Sequence, residues 1–141
     1  MKWITRQKVK VDRVACPWLI RKFIDPDAEF VFLSQETDWS EVRDGILYDV
    51  PGCELGHYGE DVSFNSILKK YNLTETALTL LGEIVRAADS QPSQPHPAGE
   101  GLRWIAHGFS ALGLSDHEIL KNEFVVYDAL YAECQRRVAL G

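Results

Sequence analysis

The chain has 141 residues, of which 45% are hydrophobic and 26% charged, with a net charge of −6. Four Trp, five Tyr and six Phe supply enough apolar area to offset chain entropy, which excludes intrinsic disorder. The acidic balance, with no basic stripe, argues against a nucleic-acid partner.

One domain over residues 1–141 is expected, large enough to fold without a disulfide or metal staple. The start, Met1-Lys2-Trp3-Ile4-Thr5-Arg6, lacks the apolar core of a signal peptide, and no run is long enough to span a bilayer. Cys16, Cys53 and Cys134 form no CxxC pair, so reduced thiols and a cytoplasmic location are expected.

In chain order, residues 2–6 suit a strand. Residues 12–24 read as a helix that stops at Asp25-Pro26. Residues 29–33 and 46–50 are short aromatic or β-branched runs, expected to be strands. A bent loop follows at Gly52, Gly56 and Gly59. Ser63 is placed to cap a helix to about Tyr71 and Thr74 to cap the next, with Leu73 and Leu78 at staple positions. Leu78, Leu81, Val85 and Ala88 make a buried stripe. Pro92, Pro95 and Pro97 mark an exposed loop. The next helix carries Leu102, Ile105, Ala106 and Phe109 on one face. Ser115 opens the last helical stretch with a capping box to Glu118, and Asn122 is a point where it can break. The expected class is α+β and predominantly helical, a small N-terminal sheet of about three strands against a bundle of about five helices.

Three segments bear chemistry. In the first, Asp12 to Arg21, either Cys16 or Asp12 caps the helix, and both readings put Cys16 near a helix N-terminus. Amides and dipole there favour a thiolate, and Arg13 and Arg21 add charge that lowers the thiol further or grips an oxyanion directly. A buried, inert Cys16 beside Trp18 is the bland alternative. In the second, Glu54 and His57 have Glu-x-x-His spacing in a glycine-bent loop. Carboxylate with imidazole suits Zn, Fe or Mn, and Asp89 and His117 are candidates to complete the set. The competing reading is a tight turn whose His57 bonds the backbone. In the third, His117 lies in the first turn of its helix, where the dipole favours the neutral imidazole that ligates metals. The stronger reading is a simply exposed His117, since Asp116 and Glu118 are what any helix start favours. Tyr127 and Tyr131 share a helix face with Asp128, which needs a partner if buried.

These segments together resemble the C-terminal domain of the bacterial chromate resistance protein ChrB. The resemblance rests on Asp12-Arg13-Val14-Ala15-Cys16-Pro17-Trp18-Leu19-Ile20-Arg21, on Glu54-Leu55-Gly56-His57 followed by Ser63-Phe64, and on Ile84 to Asp89. Asp116-His117-Glu118 and Tyr127 to Tyr131 extend it over nearly the whole chain. It implies an accessory or sensory role beside chromate efflux, and a link to a chromate transporter or a rhodanese-like protein.

The leading expectation is a polar cleft that binds a small oxyanion (chromate or sulfate), a divalent metal, or both. Arg13, Arg21 and Arg86 are the candidate oxyanion donors. Glu54, His57, Asp89 and His117 are the candidate metal ligands. Asp12 and Asp128 are supporting residues. Two alternatives stand beside it: a thiol-dependent or metal-dependent enzyme using Cys16 and Tyr127, and a non-catalytic docking module.

Overall fold

The computed structural model describes residues 1–89 and 95–141. β1 (Lys2–Arg6), β2 (Glu29–Leu33) and β3 (Ile46–Leu47) form a parallel sheet in the order β2-β1-β3. Trp3 pairs with Phe30 on one side and Ile46 on the other. β1 is therefore central, and Trp3, Ile4 and Thr5 are all buried, as a strand covered on both faces requires. The expected strand at 46–50 is shorter, because Asp49 turns into the left-handed region at φ 50° and ends the ladder.

The described residues also form five α-helices: α1 (Asp12–Phe23), α2 (Ser63–Lys70), α3 (Thr76–Asp89), α4 (Pro97–Ala111) and α5 (Asp116–Ala139). This is the α+β, mainly helical arrangement expected. The α1 ring Trp18 packs against Tyr127 and Tyr131 of α5, with centroids 6.3 and 5.5 Å away. Phe64, Ile67, Leu78, Leu81 and Val85 complete one apolar core with the inner face of α1. Three cysteines are free, and no helix among the described residues is long and apolar enough to cross a membrane.

Several local expectations are corrected. α3 starts at Thr76, with the Glu75 carbonyl accepting from Leu78 and Thr79 N–H, so Thr74 is not its cap. Asn122 does not interrupt α5, because its side-chain amide donates back to the Glu118 carbonyl at 2.7 Å and leaves the helix intact. Ile105 is exposed on α4, whereas Leu102 and Ala106 are buried. Pro92 lies outside the described residues, and Pro97 is the first residue of α4, where its missing N–H costs nothing. The capping box of Ser115 and Glu118 is present in full.

α3 and α4 cross closely at Gly99. A Cβ there would stand 2.6 Å from Ala87 Cβ and 3.0 Å from its backbone, with no flexible tip to yield. Gly99→Ala is therefore expected to lower unfolding stability by about 1–3 kcal/mol, measurable by urea denaturation.

Candidate functional site

In an open sheet with parallel strands, ligands bind beyond the carboxyl ends of the strands, where the strand order reverses. Here β1 leads through α1 to β2 on one side, while β3 lies on the other. The crevice between β1 and β3 is that reversal point. Asp12 follows β1, and Asp49 follows β3.

Both carboxylates converge on His57 from the glycine-bent loop. His57 Nε2 stands 3.1 Å from Asp12 Oδ2, 3.0 Å from Asp49 Oδ1 and 3.8 Å from Asp89 Oδ2 at the end of α3. Asp12 is fully buried. Its Oδ2 accepts the Ser63 N–H at 2.8 Å, and its Oδ1 accepts the Phe64 N–H at 3.0 Å. Asp12 thus supplies the negative charge at the N-terminus of α2. Ser63 does not cap that helix; it is the first helical residue, and its buried hydroxyl has no hydrogen-bond partner among the described residues. Asp89 does the same service for α1, accepting the Asp12 backbone N–H.

Crowding of three carboxylates sets the electrostatics. Burial, then the charges of Asp12 and Asp49, push the Asp89 carboxyl up to about 7. Burial also raises Asp12, opposed by its bond to His57. Hydrogen bonds to Asp12 and Asp49 push His57 up to about 10, so it carries a proton at neutral pH. Arg6 and Arg13 each place a guanidinium nitrogen 3.8 Å from Asp49.

A cleft of about 430 Å3 opens beside the cluster, lined by Arg6, Asp49, Cys53, His57, Tyr58 and the backbone of the Val50 to Gly52 turn. His57 is 38% exposed and lines this cleft. Arg6 also donates from Nε to the Asp49 carbonyl at 3.2 Å, which fixes its guanidinium in the cleft lining.

Of the expected metal ligands, the structure brings His57 and Asp89 together and adds Asp12. One donor atom from each of these three lies within 4.8 Å of the others. Donor separations of 3.0–3.8 Å around Nε2 are close to the edges of a coordination shell with metal–ligand distances of about 2.0–2.2 Å. Glu54 does not join. It sits in a turn rather than a helix, so the three-residue spacing puts it on another side, paired with Lys70 Nζ at 3.0 Å. His117 does not join either; it is exposed on α5 with its ring 4.9 Å from Phe32.

The other expected positions separate. Cys16 is not at the helix N-terminus, because α1 already begins at Asp12 and runs through Pro17. Its buried thiol donates to Asp12 Oδ1 at 3.4 Å, and burial with the Asp12, Asp49 and Asp89 charges raises it well above the usual value. It is a protonated donor, not a thiolate nucleophile. The first four amides of α1 are all taken, by Asp89, Lys10 and Val11, so an oxyanion finds no open donor there. Arg13 belongs to the cluster. Arg21 does not; it donates to the Ala28 carbonyl and stacks over Phe30 and Phe124. Arg86 lines a separate cleft with Asp61, Asn65 and Glu83. Tyr127 donates to the Val11 carbonyl at 3.0 Å and does not face the cleft. Asp128 has the partners its position called for, Trp18 Nε1 at 2.8 Å and Lys22 Nζ at 3.3 Å, but at the surface.

Sequence reasoning missed Asp49 and Arg6. Both stand at the carboxyl end of an apolar strand, and that placement is the signal that marks them.

The profile of the family described as ChrB, C-terminal domain, matches residues 3–134. The Protein ChrB of Cupriavidus metallidurans (strain CH34) is 36% identical over 130 residues, covering 92% of this chain. The chain spans 39% of the length of that curated relative. No solved structure matches it. By the extent of these matches, the chain belongs to the ChrB C-terminal domain family.

Proposed function

We propose that this chain binds one divalent cation through Asp12, His57 and Asp89, with Asp49 beside them, and receives a small oxyanion in the adjoining cleft. The observation that carries the reading is the convergence of one imidazole and three carboxylates at the strand-order reversal of the sheet. Mixed nitrogen and carboxylate donors suit Zn, Fe or Mn. The cation takes the place of the proton that His57 now carries, and uses a lone pair on each carboxylate that faces Nε2.

Family membership associates the chain with chromate resistance. In that setting chromate or sulfate is the fitting class of anion, and a sensory or accessory role beside efflux in the cytoplasm is the fitting task. The electrostatics add an order of events. Without the cation the three carboxylates are offset by the protonated His57 and by Arg6 and Arg13, both turned toward Asp49, so the cluster offers an anion little net positive charge. A divalent cation that displaces the His57 proton adds one positive charge to the cluster, and Arg6 in the cleft lining then offers its remaining N–H donors. Anion binding accordingly depends on the cation.

Thermal unfolding of the chelator-treated protein tests the cation. Zn2+, Mn2+ or Fe2+ at a hundred times its Kd is expected to add about 2.7 kcal/mol of stability. Asp89→Asn should lose most of that gain. No shift with any of the three ions would overturn the reading. Calorimetry with sulfate, before and after loading with Zn2+, tests the order; equal heats in both states would refute it.

A further inference from the structure

We propose that Tyr127 is a positioning residue for the cation centre, acting through the Val11 peptide to aim Asp12. The proposal rests on the cation reading above. Val11 precedes α1 at φ 44° and ψ −99°. A β-branched residue in that region is strained and persists only where its surroundings over-determine it. The restraint is visible. The Val11 carbonyl accepts the Val14 N–H at 3.0 Å, the Ala15 N–H at 2.8 Å and the Tyr127 hydroxyl at 3.0 Å. The first two are ordinary bonds of a helix start. The third comes from α5, 116 positions along the chain, and Tyr127 is fully buried.

The next residue is Asp12, whose amide binds Asp89 and whose carboxylate binds His57 and the start of α2. Relaxation of Val11 toward negative φ rotates the peptide that joins it to Asp12. Two of the three cation donors move with that peptide, one directly and one through its hydrogen bond. Tyr127 itself touches neither the cleft nor the donors, so its effect is indirect. α5 thereby tells the start of α1 where to hold its carboxylate.

Tyr127→Phe removes one oxygen and keeps the ring against Trp18. Tyr131→Phe is a matched control: it lies one turn further on the same helix, also packs on Trp18, and its hydroxyl binds Glu75 at 2.7 Å, away from the centre. The probe is Co2+ added to the chelator-treated full chain, because its visible absorption reports the ligand set. Tyr131→Phe is expected to match the wild type in Co2+ affinity and spectrum. Tyr127→Phe is expected to bind about tenfold or more weakly, as loss of an outer hydrogen bond does, with a changed spectrum. Glycine tolerates positive φ without the Cβ penalty, so adding Val11→Gly to Tyr127→Phe should recover affinity even if the single variant folds poorly. Unchanged affinity and spectrum in Tyr127→Phe, or no recovery in the double variant, would overturn the positioning role. Failure of the wild type to take up Co2+ would instead overturn the cation reading itself.

Discussion

Asp12→Ala is expected to destabilise the protein by about 3–5 kcal/mol, the usual cost of removing one partner from a buried charged network. The carboxylate accepts two backbone N–H groups of α2, the Cys16 thiol and the His57 imidazole, and of these donors only His57, which lines the cleft, has water to turn to. The substitution leaves the first turn of α2 with orphaned amides and His57 with less countercharge. Asp128→Ala is the contrast. That carboxylate also has two partners, but it is half-exposed on α5, and its loss is expected to cost about 1 kcal/mol or less. Urea denaturation of the two variants under one set of conditions measures the difference. Equal effects would mean that the cluster is not a single buried network.

Glu123 should act in the opposite sense. It is 1% exposed on α5, and neither carboxylate oxygen has a hydrogen-bond partner among the described residues. Burial pushes its carboxyl up to about 7 from the ordinary 4.5. The folded protein therefore holds this proton more tightly than the unfolded chain does. The stability it contributes is fully present below pH 4.5 and is lost as pH rises through about 7. On this account the protein is weaker at pH 8 than at pH 4 by about 3 kcal/mol from this one group. Glu123→Gln removes the ionisation and should be the more stable form at pH 8, with the advantage shrinking toward pH 5. Denaturation of both forms from pH 5 to 9 tests this; parallel profiles would show that Glu123 does not titrate in that range.

Much of the frame was legible because its signals are local. Trp3, Ile4 and Thr5 mark a strand by their side chains, as Phe30, Val31 and Phe32 do, and both strands fall where the residue types put them. The Ser115 and Glu118 pair is likewise a local device. Thr74 and Asn122 misled for a related reason. A residue suited to a cap or a break acts so only if the adjacent backbone needs it, and here Glu75 and Glu118 carbonyls already engage the helix.

The site was half legible. His57 and Asp89 stood out as ligand types, and the glycines beside His57 announced a close approach of chain. Glu54 at the same spacing looked equally good, yet a turn does not share the periodicity of a helix. Asp12 read as a cap for its own helix; instead it serves α2, 51 positions away. Asp49 and Arg6 were invisible because their role depends on strand order, and β3 lies beside β1 rather than beside β2. No window of sequence carries that information. Cys16 was open between a helix-start thiolate and a buried thiol, and the structure has the buried one: with the helix starting at Asp12, the thiol lies a full turn inside and meets carboxylates rather than free amides.

The central claim is that the group around His57 Nε2 is a cation centre. The most direct measurement is a crystal of the Zn2+-loaded protein with diffraction collected on either side of the zinc absorption edge. The account predicts one strong anomalous peak about 2.0–2.2 Å from His57 Nε2 and from an oxygen of Asp12 and of Asp89. A map with no peak at that position, or with zinc held only at surface residues, would contradict it.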